Sequence, residues 1–236
     1  MARRRAWNWR RSGCADPMAH VIGGVVDAHE VSAMRQAIEA LEFEDGRHSA
    51  GRYARGVKSN EQAAATPGRD AIFATLRKAL NANALFVSVA RPRKFARMLI
   101  SRYGPGMEYG THVDDPIMQG SRTDLSFTLF LSAADSYDGG GLVLEDPLED
   151  RVFRLEPGDM ILYPTSALHR VEPVTRGTRL AVVGWVTSWV READRREVLH
   201  DLDLAARSIF DAQGKTPAFD RLLKAKSNLF RMWAEG

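Results

Sequence analysis

Between residues 27 and 83 the apolar side chains return at helical spacing. Val31, Met34, Ile38 and Leu41 fall on one face of a first helix, and Ile72, Phe73, Leu76 and Leu80 on one face of a second. Asp27 followed three positions later by Glu30 predicts a capping box at the start of the first. Pro67, Gly68 and Asp70 open the second, which should end near Asn81–Asn83. Residues 19–26 read as a short strand ahead of both, so helices are expected to dominate the first third.

From Leu85 to Ser188 the pattern changes to short β-rich runs separated by turn residues: Gly104-Pro105-Gly106, Gly139-Gly140-Gly141, Pro157-Gly158-Asp159 and Arg176-Gly177. Many short strands with tight turns argue for a sandwich or jelly roll. Leu125–Ser132 alternates, with Leu125, Phe127, Leu129 and Leu131 on one face and Ser126, Thr128, Phe130 and Ser132 on the other. If the polar face lines a pocket, the aliphatic face should meet the helices of the first third, which need a surface on which to bury their own stripes. After Trp189 the pattern is helical again. A charged segment, Val190–Phe210, is followed by a break at Gly214-Lys215-Thr216-Pro217 and a last amphipathic helix, Phe219–Trp233. Its Phe219, Leu222, Leu223, Leu229, Phe230 and Trp233 would cover the core or meet a second subunit in a homodimer, core packing being the favoured use. The expected architecture is α+β: a β-rich domain over 18–189, a leader over 1–17 and a helical extension over 190–236.

With 236 residues, 44% of them apolar, the chain can bury one sizeable core. No apolar run approaches the roughly 20 residues needed to cross a bilayer, so a soluble protein is expected. The net charge of +3 points to nucleic acid only at first sight. Residues 1–17 hold Arg3, Arg4, Arg5, Arg10 and Arg11 against Asp16 alone, a segment net of +4 that leaves the rest at −1. The leader reads as a disordered tail, or as a start placed upstream of Met18, with a phosphate tether as the alternative. No apolar stretch of a secretory signal follows the arginines. The single Cys14 excludes a disulfide framework and suits a reducing cytoplasm.

His112-Val113-Asp114 sets an imidazole and a carboxylate two residues apart, which in an extended strand places both on one face. His169 opens a later β-like run and completes a candidate set of two histidines and one carboxylate. Such a facial set leaves positions open on an octahedral ion, which suits Fe(II) that must also bind a bidentate co-substrate and O2; a structural zinc site would be closed. His-x-Asp alone is a weak signal. Arg179 strengthens it, because its guanidinium fork suits a dicarboxylate, although an ordinary surface ion pair is the alternative. Strand parity puts Arg179, Ala181, Val183 and Trp185 on one face, so Trp185 could wall the same pocket. Asp115 could meet a substrate or cap a turn. His20, His29, His48 and His200 lack spaced ligand partners in the sequence and read as solvated or packed.

These residues, with Arg102-Tyr103-Gly104, Arg122-Thr123-Asp124-Leu125-Ser126, Tyr137-Asp138-Gly139-Gly140, Leu162-Tyr163-Pro164, Leu168-His169-Arg170-Val171 and Pro173-Val174-Thr175-Arg176-Gly177, resemble the PKHD-type hydroxylases. These form a branch of the prolyl-4-hydroxylase-like, Fe(II)- and 2-oxoglutarate-dependent dioxygenases. The likeness continues through Trp189-Val190-Arg191 to Asn228–Glu235, nearly everything after Met18. It implies a double-stranded β-helix with supporting helices, Fe(II) on His112, Asp114 and His169, and 2-oxoglutarate held at its far end by Arg179. It also implies help for the co-substrate from Tyr103 and, at a strand position often so used, Thr128; core packing is the alternative for both. Ascorbate as reductant, and an amino acid, peptide or siderophore-like metabolite as substrate, with release of succinate and CO2, follow from the same likeness. Gly141 departs from the family, which usually has an acidic residue there. Two other readings stand beside this one: a non-catalytic β-helix that binds metal or a small acid, and a nucleic-acid demethylase of the same superfamily, for which the acidic remainder of the chain is a poor match.

Overall fold

A computed structural model describes residues 19–146 and 148–235. The arginine leader, with Cys14, lies outside the described residues. In chain order the elements are β1 (His20–Ile22), α1 (Ala28–Glu39), β2 (Phe43–Asp45), β3 (Lys58–Ser59), β4 (Glu61–Ala63), α2 (Pro67–Ala82) and α3 (Ala84–Ala90). Then come β5 (Pro92–Tyr103), β6 (Glu108–His112), β7 (Ile117–Met118), β8 (Ser121–Arg122), β9 (Leu125–Phe130), β10 (Tyr137–Gly139), β11 (Leu142–Leu144) and β12 (Arg151–Phe153). The last are β13 (Met160–Pro164), β14 (His169–Val171), β15 (Val174–Gly177), β16 (Arg179–Ser188), α4 (Ala193–Gln213) and α5 (Pro217–Trp233).

The capping box of α1 is formed: the Glu30 amide donates to Asp27 Oδ1 at 2.8 Å and the Asp27 amide to Glu30 Oε2 at 2.9 Å. Thr66 caps α2, with Pro67 in its first turn. Val31, Met34 and Ile38 of α1 and Ile72, Phe73, Leu76 and Leu80 of α2 are buried, as the periodicity predicts. Three details differ from the sequence reading. The strand expected over 19–26 stops at Ile22, because Gly24 turns the chain with φ +62° and the Val25 amide bonds to Gly158 O at 2.9 Å. The β-rich region opens with a helix, α3, since the Asn83 side chain accepts from the Phe86 amide at 3.0 Å and Arg91 ends the helix in the left-handed region. Residues 43–63, within the supposedly helical third, supply the short strands β2, β3 and β4.

Two antiparallel sheets face each other. The larger runs β1-β13-β9-β16-β5-β4-β2 and the smaller β12-β11-β14-β6-β3. This is the expected jelly-roll core. The alternation of β9 does what its pattern predicts. Leu125, Phe127, Leu129 and the adjoining Leu131 join Leu76, Leu80 and Phe86 in the core beneath the helices, while Phe130 belongs to the core between the sheets. Each fully buried Leu or Phe there contributes about 1.5–3 kcal/mol relative to exposure.

Helix α4 starts at Ala193 and not at Val190, because the carbonyl oxygens of Val190 and Arg191 accept from Arg196 Nη1 at 3.0 and 2.6 Å. Helix α5 turns back along α4; Phe219 is buried and Leu222, Leu223, Leu229, Phe230 and Trp233 are half-buried. A polar knot fastens this pair to α3. Asp203 accepts from Ser88 Oγ at 2.7 Å and Lys226 Nζ at 2.6 Å and pairs with Arg91. Among the described residues no helix is long and apolar enough to cross a membrane.

Candidate metal and co-substrate site

A cavity of about 490 Å³ lies between the two sheets, and the sequence-predicted residues line it. His112 ends β6, and His169, which opens β14, pairs directly with it. Asp114 lies two residues beyond the end of β6, in chain that keeps the in–out alternation. The side chains of His112 and Asp114 are 7% and 8% exposed, whereas Val113 between them faces solvent. His112 Nε2 is 3.8 Å from Asp114 Oδ1, and His169 Nε2 is 3.7 Å from Asp114 Oδ2. Two ligand atoms bonded to one ion at about 2.1 Å each can be no more than about 4.2 Å apart, and both separations meet that limit.

The chain also fixes which nitrogen faces the centre. His112 Nδ1 lies 2.9 Å from Gly110 O, and His169 Nδ1 3.0 Å from Ala167 O. A carbonyl only accepts, so each Nδ1 carries the proton and each Nε2 presents its lone pair. Burial, then the neighbouring His169, lowers the His112 pKa to about 4, so its imidazole is neutral and ready to bind a cation. Ser126 Oγ donates to Asp114 Oδ2 at 2.7 Å and orients the carboxylate. The donor set fits a divalent ion with open positions.

Arg179 is the other pole. It is 1% exposed, yet its Nε and Nη2 have no hydrogen-bond partner among the described residues. The surface-pair alternative is therefore excluded, and a buried cation with unmet donors implies an anion. Its guanidinium lies against the rings of Tyr103 and Phe130, with Cζ 5.4 and 5.2 Å from their centroids. Gly140 makes room for it: a Cβ at that position would stand 3.1 Å from Arg179 Cδ and 2.9 Å from Val174 Cγ2. Tyr103, paired with Arg179 across β5 and β16, has its phenol pushed up to about 12 by burial, with Arg179 opposing, so it keeps its proton. Thr128 is buried in the same wall, hydrogen-bonded to Tyr163, whose phenol is pushed well up by burial. Trp185 lines the pocket further along β16, and its buried Nε1 also lacks a partner among the described residues.

Several lining residues escaped the sequence reading. Tyr109 stacks on His112 with ring centroids 3.6 Å apart, and Lys58 Nζ stands 4.6 Å over the Tyr109 ring. Three residues apart in a strand, Tyr109 and His112 should face opposite ways. An irregularity in the β6–β14 register, where three steps on one strand match two on the other, brings them together. Ser126 was legible as a pocket-facing position, though its bond to Asp114 was not. Asp115 is exposed at the pocket wall. His29 and His48 are exposed, and His200 is packed, bonding Ser88 Oγ at 2.9 Å inside the α3–α4 knot. The glycine at 141 has a local reason: a Cβ there would meet Glu172 Oε2 at 2.7 Å and Val152 Cγ1 at 2.6 Å.

Two facing sheets around a His-Asp-His cluster with a buried arginine define a 2-oxoglutarate- and Fe(II)-dependent oxygenase, and residues 98–187 match that superfamily. An oxygenase of this superfamily from Burkholderia pseudomallei superposes with a TM-score of 0.55 at 19% identity, over 72% of this chain and 84% of that one. A prolyl-4-hydroxylase from Pseudomonas putida gives 0.51 at 21% identity, over 72% and 92%. Residues 194–235 match the PKHD-type hydroxylase C-terminal domain, and a PKHD-type hydroxylase of Maricaulis maris is 51% identical over 211 residues, 89% of this chain and 96% of the relative. The chain belongs to the PKHD-type hydroxylase family. It is an enzyme whose metal is Fe(II) and whose co-substrate is 2-oxoglutarate.

Proposed function

We propose that this enzyme hydroxylates an aliphatic C–H of an amino acid, peptide or siderophore-like metabolite, releasing succinate and CO2. His112, Asp114 and His169 are the metal ligands and Arg179 the anchor for the distal carboxylate of 2-oxoglutarate. The unpartnered donors of Arg179, buried in the cavity that holds the three candidate ligands, carry this reading. When bound, the iron and 2-oxoglutarate supply the oxidising power that turns O2 and a C–H bond into a hydroxyl group. The work of the chain is placement. Arg179 and the protonated Tyr103 fix one end of the co-substrate. Thr128 shapes the floor beside it, and Trp185 walls the substrate side. Ser126 holds Asp114 in place, and the facing sheets exclude bulk water. Ascorbate as reductant, a cytoplasmic setting and a lack of nucleic-acid partners belong to the same proposal, as does the division into leader, oxygenase domain to 189 and helical extension.

The test is incubation of anaerobically purified, Fe(II)-loaded protein with 2-oxoglutarate, O2 and a metabolite extract, followed by mass spectrometry for compounds that gain one oxygen. Succinate should form with the product in equal amount. His112→Ala and Asp114→Ala should abolish both; full turnover by either variant refutes the assignment, and 2-oxoglutarate binding without consumption would favour a binding module.

A further inference from the structure

We infer that the same cavity contains a second anion-binding corner, formed by Arg97 and Lys58 with the Trp185 indole N–H beside them, which takes a carboxylate of the primary substrate. The inference rests on the oxygenase reading and adds the substrate class to it.

Strand register separates this corner from the co-substrate anchor. Arg97 on β5 pairs with Trp185 on β16, and Trp185 pairs with Ser126 on β9, the residue bonded to Asp114. Trp185 is six residues from Arg179 along an extended strand, roughly 20 Å, too far for a five-carbon diacid to reach both arginines. Arg97 is two strands from Ser126, roughly 10 Å. Arg97 therefore flanks the candidate metal ligands from the end of the cavity opposite Arg179.

The donors in this corner have few acceptors among the described residues. Arg97 is half-buried and makes no hydrogen bond or ion pair among the described residues. Lys58 is 7% exposed and among the described residues donates one hydrogen bond, to Ser49 Oγ at 2.9 Å, of the three an ammonium can make. Trp185 Nε1 is buried without an acceptor among the described residues. Holding a nearly buried ammonium with one acceptor and an indole N–H with none beside a half-buried guanidinium is costly, and an anion in this corner would serve all three. The charge of the cavity agrees. Its lining holds Arg52, Lys58, Arg97 and Arg179 against Asp114 and Asp115. A ferrous ion and doubly ionised 2-oxoglutarate cancel each other, so the loaded site keeps a positive excess for a further anion.

A carboxylate fits better than a phosphate. Asp115 acts electrostatically on Arg97 and would repel a dianion more than a monoanion. Leu99, Val183, Met118 and the Trp185 ring pack together next to Arg97 and offer a short aliphatic chain an apolar wall. The substrate is accordingly a small aliphatic carboxylic acid, either free or at the C-terminus of a peptide.

The experiment uses the full chain loaded with Fe(II) and 2-oxoglutarate under argon, titrated by calorimetry with matched probes: N-acetyl amino acids, dipeptides with free C-termini, the methylamides of both, and phosphomonoesters of similar length. The acids should bind about tenfold or more tightly than their amides, as loss of a charge-assisted pair requires. Arg97→Gln should remove that preference, and Arg97→Lys should keep part of it, with 2-oxoglutarate affinity unchanged in both. A preference confined to free acids or to peptide C-termini upholds the proposal and identifies the source. Equal binding of acids and amides, survival of the preference in Arg97→Gln, or tighter binding of phosphomonoesters overturns it. Wild-type protein that binds no 2-oxoglutarate overturns the oxygenase reading and this inference together; binding of 2-oxoglutarate without acid preference overturns the inference alone.

Discussion

Arg179 and Arg196 are buried to nearly the same depth, 1% and 6% exposed, and differ in what meets them. Arg196, in the first turn of α4, has two carbonyl oxygens on one guanidinium nitrogen. Nearby, Asp203 is shared among Ser88, Arg91 and Lys226, so that apart from Arg91 Nε and Glu192 Oε2 the buried side-chain polar atoms of this region have hydrogen-bond partners among the described residues. Arg179, between the sheets, has two nitrogens with no partner. Burial of a cation is thus no guide to function by itself. The donors left unmet are the guide, because folding alone would not favour leaving them dry.

That contrast can be broken most directly at the two arginines. Arg179→Met should weaken 2-oxoglutarate binding by about 2–5 kcal/mol while leaving the thermal stability of the ligand-free protein unchanged or higher. Arg196→Met should do the reverse, costing about 1–3 kcal/mol of stability with co-substrate affinity intact. Equal destabilisation by both substitutions, in calorimetric melts, would show that Arg179 is a structural cation after all. Next in size, Asp203→Ala should destabilise by about 1–3 kcal/mol, less than a fully buried pair because the site is partly exposed, without altering 2-oxoglutarate affinity. Ser126→Ala should lower metal affinity about tenfold, read by competition with a chelator, and leave the fold intact. The smallest effect concerns pH. Burial, then Arg97, lowers the Lys58 pKa to about 8, with Asp114 and Asp45 opposing. Its positive charge is therefore lost as pH rises through about 8, and affinity for the acid probes should fall severalfold between pH 7 and 9. Lys58→Met should flatten that profile; an unchanged profile would place the titration elsewhere.

Periodicity and turn residues were enough to read the helices, the change to β structure after the first third, and the two faces of β9, because each depends on contacts close in sequence. His112, Asp114, His169 and Arg179 were legible by residue type, spacing and likeness to a family. Other features depend on tertiary context. Helix α3 reads as strand until the Asn83 cap is seen to decide the matter locally. Lys58 comes to the pocket on a two-residue strand paired to β6, which no periodicity marks. Tyr109 lies on the wrong face by simple parity and reaches His112 only through the register irregularity. Arg97 was one arginine among many until β5 was set against β16.

The carbonyl oxygens that accept from the two imidazoles belong to the backbone two residues before each ring, Gly110 within β6 and Ala167 just ahead of β14. These two bonds depend on the backbone course of β6 and of the chain leading into β14 and not on the identity of the surrounding side chains. The reactive centre and the recognition surface are thereby separable, and a lineage could exchange one substrate for another without first having to rebuild its ligand cage.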